Sequence, residues 1–99
     1  MEDLLRKGTR KFIDGDNKLA IKIFNRVLRK EPRNTKALIH RGLVYLDIKR
    51  YSNAVEDFTY ALHIDKYNTD AYRNRALAYF GMKKEQLAMK DYNKSLELV

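Results

Sequence analysis

Apolar and small side chains fall along this chain at intervals of three and four residues. Ala20, Ile21, Phe24, Val27 and Leu28 form one such stripe, and Ala54, Val55, Phe58, Ala61 and Leu62 form another. With 3.6 residues to a turn, each set lies on one side of an α-helix. The stripes also repeat. Gly8, Ala20, Phe24 and Leu28 return 34 residues later as Gly42, Ala54, Phe58 and Leu62, and once more as Ala76, Ala88, Tyr92 and Leu96. A period of this length marks a stacked array, in which each unit hides its apolar face against its neighbours.

Polar breaks divide each unit in two: Asp14-Gly15-Asp16-Asn17, then Lys49-Arg50-Tyr51-Ser52, then Gly81-Met82-Lys83-Lys84. Each unit therefore reads as an antiparallel helix pair. Pro32 excludes helical geometry at Glu31 and ends the first pair, while Asn34, Thr35, Asn68 and Thr69 suit the starts of the helices that follow. Lys66 stands where the second boundary would need a proline, so that stop must rest on turn formation and packing. The expected helices cover residues 2–14, 18–30, 35–48, 52–64, 69–82 and 86–98, in one domain over 1–99 with units 1–34, 35–68 and 69–99. Gly8, Gly42 and Ala76 on the first helices, with Ala20, Ala54 and Ala88 on the second, allow close approach.

The order and spacing of these positions resemble the tetratricopeptide repeat family, with its pattern W-x2-L-G-x2-Y, A-x3-F and P, over essentially the whole chain. The resemblance implies an all-α solenoid of three helix hairpins stacked in a right-handed superhelix. Leu4, Leu38 and Tyr72 stand at the family's tryptophan, and Tyr45 and Tyr79 keep its tyrosine, which is Lys11 in the first unit. Helix one is expected to pack least well. The family's leucine is basic throughout, as Lys7, Arg41 and Arg75. Asp57 and Asp91 precede Phe58 and Tyr92, where the first unit has Ile23, so Arg41–Asp57 and Arg75–Asp91 are expected to pair across their hairpins.

The resemblance also implies a concave groove, lined by the first helix of each unit, that receives a partner peptide. Its lining would include Leu5, Arg6, Thr9 and Phe12, then Ile39, His40 and Leu43, then Arg73, Asn74, Leu77 and Phe80. The apolar members would form pockets, while Arg6, His40, Arg73 and Asn74 would hold a carboxylate or peptide backbone. One subclass of the family clamps the terminal carboxylate of chaperone tails with lysine, arginine and asparagine. The matching places here hold Leu5, Thr9, His40, Asp70 and Asn74, which argues against such a clamp.

Charge adds a second candidate surface. The net charge is +8, and residues 1–34 hold ten basic against five acidic residues, compared with five against four in 35–68 and six against four in 69–99. Lys18, Lys22, Arg26 and Arg29 fall within about 80° on one face of the second helix. This ridge would suit nucleic acid or an acidic protein surface, but Ser52, Glu56, Tyr60 and His63 do not extend it.

Chemistry is sparse. The chain has no cysteine, its two histidines His40 and His63 stand far apart, and no phosphate loop or nucleophile elbow occurs. The expectation is a binding protein, not an enzyme, with no cofactor or metal. No run reaches the length of a membrane helix, so a cytoplasmic protein is expected, with a protein or peptide partner in a larger protein or complex. Met89, Tyr92, Leu96 and Leu98 give the last helix an apolar edge, so the chain is expected either to continue an array or to self-associate through that end.

Overall fold

The computed structural model describes residues 2–99. Six helices follow one another: α1 (Glu2–Ile13), α2 (Asn17–Lys30), α3 (Thr35–Asp47), α4 (Tyr51–Ile64), α5 (Thr69–Gly81) and α6 (Glu85–Glu97). Each expected helix is present, with ends moved by one residue in most cases. Successive helices pack as the hairpins α1–α2, α3–α4 and α5–α6, and α2–α3 and α4–α5 join the hairpins into an array.

The turn inside each hairpin repeats as faithfully as the apolar stripe. Gly15, Lys49 and Lys83, spaced by the period, all take positive φ, at 87°, 65° and 61°. Each turn closes with a pair of backbone bonds that satisfies the final carbonyls of the preceding helix. In the second unit Arg50 N–H reaches Tyr45 O at 2.8 Å and Lys49 N–H reaches Leu46 O at 3.1 Å. Glycine adopts this conformation freely, whereas lysine does so at a steric cost.

Between hairpins, the Asn34 and Asn68 side chains accept bonds from Ala37 and Ala71 N–H at 3.0 and 2.9 Å, and Thr35 and Thr69 begin their helices. The boundary without proline has the same shape as the one that contains it. Tyr67 N–H bonds to the Asp65 carboxylate at 3.2 Å, so a local side-chain turn does there what Pro32 does through its ring.

Phe24 and Phe58 are fully buried and anchor the two core clusters. Each ring lies on a glycine: a Cβ at Gly8 would come within 2.6 Å of Phe24, and one at Gly42 within 2.6 Å of Phe58. The small positions thus serve ring-on-backbone packing within a hairpin. Gly81, where the expected helix 69–82 and the following break overlap, is the last residue of α5 and lies against the Tyr51 ring of the preceding hairpin. Ala37 and Val44 of α3 join the first core cluster, and Ala78 of α5 joins the second.

Candidate interaction surfaces

Packing of the first helices creates a distinct inner face. The backbones of α1 and α3 approach closely, as do those of α3 and α5, whereas the backbones of α2, α4 and α6 stay apart. Second helices set farther apart than first helices bend the array toward the first-helix side. Of the apolar residues expected in the groove, Leu77 and Phe80 are 51% and 41% exposed, and Ile39 and Leu43 are half-buried against the second core cluster. Leu5 is buried within the first core cluster, and Phe12 packs at its margin.

The polar groups expected in the groove are largely occupied already. Arg6 pairs with Asp3 at 3.0 Å, and Arg73 pairs with Asp70 one turn away. The Thr9 hydroxyl donates to Leu5 O at 3.0 Å and lies 3.4 Å from His40 Nδ1. His40 is half-buried, with its ring 5.8 Å from that of Phe24. Burial, reinforced by the charge of Lys36, lowers the His40 pKa from its ordinary 6.5, which favours the neutral ring. Asn74 is half-buried on the same helix as Arg73.

Both expected ion pairs are present, and each reaches further than the sequence indicated. Arg41 Nε and Nη2 donate to the two Asp57 oxygens at 2.9 and 2.6 Å, while Nη1 donates to Asn25 Oδ1 of the preceding hairpin at 2.8 Å. Arg75 repeats the arrangement, with 2.7 and 2.8 Å to Asp91 and 3.1 Å from Nη1 to Thr59 Oγ1. The planar guanidinium therefore joins three helices. Tyr45 flanks Arg41, with its ring centre 5.9 Å away, and Tyr72 and Tyr79 flank Arg75, each at 5.8 Å. Hydrogen bonding to their aspartates raises the pKa of both arginines. Burial pushes the Asp57 carboxyl up, against the opposing pull of the Arg41 bond. The inter-hairpin acceptors were missed because Asn25 and Thr59 differ in type, although they stand one period apart.

On the outer side, Lys18, Lys22, Arg26 and Arg29 are all exposed. Lys7, Lys22, Arg26 and Arg29 surround a hollow of about 430 Å³ with Leu19 and Ile23 among its apolar lining. At the far end, Tyr92 is 43% exposed where Phe58 is fully buried, and Leu96 is 57% exposed where Leu62 is at 8%. Among the described residues no cluster of His, Asp or Glu is placed to hold a metal ion, and no helix is long and apolar enough to cross a membrane.

The sequence model for the tetratricopeptide repeat matches residues 35–68 and 69–98. The chain belongs to the tetratricopeptide repeat family. Among curated relatives, the Mus musculus protein named tetratricopeptide repeat protein 34 is 46% identical over 48 residues, which span 48% of this chain and 9% of that protein. Solved tetratricopeptide domains superpose closely. The first repeat domain of Spaghetti (RPAP3), bound to the HSP90 peptide SRMEEVD, is 30% identical with a TM-score of 0.93, over 96% of this chain and 75% of that one. The second domain, bound to the same peptide, is 26% identical with a TM-score of 0.94, over 98% and 90%. A MamA protein is 26% identical with a TM-score of 0.93, over 98% of this chain and 57% of its own. The first unit lies outside the family match and carries Lys7, Lys11 and Ile23 at its divergent positions.

Proposed function

We propose that this tetratricopeptide array is a non-catalytic scaffold whose inner face receives a peptide segment of a partner protein. The observation that carries this reading is a continuous layer of α1, α3 and α5 that leaves Leu77 and Phe80 open. Peptide binding by similar domains supports it. Apolar side chains of the peptide would enter beside Leu43, Leu77 and Phe80, and its backbone would meet His40 and Asn74.

The chemistry of the face separates its ligand from the acidic SRMEEVD tail. Arg6 and Arg73 are already neutralised by Asp3 and Asp70, and no lysine stands at the clamp positions. A neutral, apolar segment is the better match, because an acidic tail would have to displace those carboxylates. The test begins with peptides selected from a random library on the intact chain. Alanine at Leu43, Leu77, Phe80 or Asn74 should weaken the selected peptide about tenfold or more, and SRMEEVD should bind far more weakly than that peptide. Unchanged affinity across the set would overturn the groove, and tight SRMEEVD binding would overturn the preference for a neutral ligand.

The exposed apolar face of α6 would suit either a further repeat of a longer array or self-association as a second, weaker contact. Head-to-tail stacking would bring it against α1, which shows Asp3 and Arg10 at the places where α3 buries Ala37 and Val44. A two-fold contact between α6 helices avoids those charges. Sedimentation should show a concentration-dependent dimer that Leu96→Lys abolishes, and a monomer at all concentrations would refute it.

A further inference from the structure

The first hairpin lacks the carboxylate around which the other two are built. In the second and third units a basic residue on the first helix is neutralised by a buried aspartate on the second, Arg41 by Asp57 and Arg75 by Asp91. In the first unit the basic residue remains as Lys7 but the aspartate is replaced by Ile23. The surrounding charges change in the same direction. Lys22 stands where the second unit has Glu56 and the third Lys90, and Arg29 where the second has His63 and the third Glu97, so each other unit holds one carboxylate that the first lacks.

These replacements produce three neighbouring hollows of similar size and different charge. The hollow beside Arg41 is lined by Glu56 and Asp57 with Arg29, and balances its charges. The one beside Arg75 has Lys90 and Lys94 but also Asp91 and Glu97. The one beside Lys7 has four cations and no carboxylate in its lining. None of the four takes part in an ion pair among the described residues.

We infer that the Lys7 hollow is a binding site for a phosphate monoester carried by a side chain of a partner protein, the phosphate supplying from the open side the negative charge that a buried aspartate supplies in the other units. A dianion offers several strong acceptor oxygens to Lys7, Lys22, Arg26 and Arg29, with Arg26 and Arg29 able to bond in paired fashion. Leu19 and Ile23 give the hollow an apolar side, so an aryl phosphate, with its ring on that side, fits better than an alkyl one. A nucleic-acid strand fits less well because the next hollow along is charge-balanced and the cations have no interleaved aromatic platform. Apart from Lys7 this hollow is lined by α2, and it shares no residue with the proposed peptide groove.

The test is fluorescence-polarisation binding to the intact chain at low and moderate salt. The probes are one short peptide with phosphotyrosine, phosphoserine or unmodified tyrosine, inorganic phosphate as competitor, and a ten-nucleotide oligouridylate. The phosphotyrosine peptide should bind best, and the unmodified peptide at least about tenfold more weakly. Lys22→Glu with Arg26→Glu, both on exposed positions, should lower phosphotyrosine affinity about tenfold or more and leave circular dichroism unchanged. Lys7→Arg with Ile23→Asp would supply an internal carboxylate and should abolish phosphopeptide binding, with folding verified by its melting curve. Leu77→Ala in the groove should have no effect. Equal binding of modified and unmodified peptide, indifference to the charge reversal, or tighter binding of oligouridylate than of the phosphopeptide would each overturn the proposal.

Discussion

The first hairpin and the second are built on one plan, and three of the substitutions between them remove a brace. Where the second has Arg41, Tyr45 and Asp57, the first has Lys7, Lys11 and Ile23. In the second, the guanidinium ties α3 to α4, reaches back to α2 and packs beside a tyrosine ring. The first keeps the apolar half of the plan, with Phe24 seated on Gly8, and leaves the charged half exposed. These two hairpins therefore share the ring-on-glycine contact, while the brace is an addition that the first unit does without.

The sharpest way to break the comparison is to remove the brace. Asp57→Ala leaves Arg41 partly buried without its carboxylate and should cost about 3 kcal/mol in chemical denaturation. A loss below about 1 kcal/mol would make the second hairpin energetically equivalent to the first. The shared contact comes next. Gly42→Ala drives a methyl into the Phe58 ring and should cost about 2 kcal/mol, with a similar loss for Gly8→Ala at Phe24. If only one of the two were costly, the hairpins would not share a core design.

A smaller difference lies in the turns. Lys49→Gly should raise stability by about 1 kcal/mol, since its positive φ suits glycine, and Gly15→Ala should lower it by a similar amount. A lower melting temperature for Lys49→Gly would show that the lysine compensates elsewhere. The smallest effect belongs to His40, at the join between the hairpins. Its folded pKa lies below 6.5, so the unfolded chain binds the proton more readily. Its contribution is complete above about pH 6.5 and is lost as pH falls through the lower folded value. Denaturation midpoints measured across that range should decline toward acid, and His40→Gln should flatten the slope.

The helices, their hairpin pairing and the two ion pairs were legible because they depend on local period and on residues that change together, arginine with aspartate and lysine with isoleucine. The second hairpin boundary was less legible, since Asp65 makes its turn through a side-chain bond whereas Pro32 restricts the backbone directly. Gly81 fell where the expected helix 69–82 and the following break overlap, and the spacing could not show that a ring from another hairpin lies on it. The inner face was readable in outline only. Helical position nominated its residues without testing them; the i,i+3 spacing of Asp3 with Arg6 and of Asp70 with Arg73 allowed their pairing, but only the packing placed Leu5 in the core.

The 34-residue pattern by itself determined how many helices form, which faces they bury and which units are alike, because burial and helical geometry repeat wherever the sequence does. Only the tertiary structure decided how those units meet: Arg41 reaching Asn25, Tyr51 covering Gly81, and a hollow at Lys7 that holds cations without a carboxylate. Those contacts join residues that belong to different units or different helices, and their strength depends on distances that no single repeat encodes.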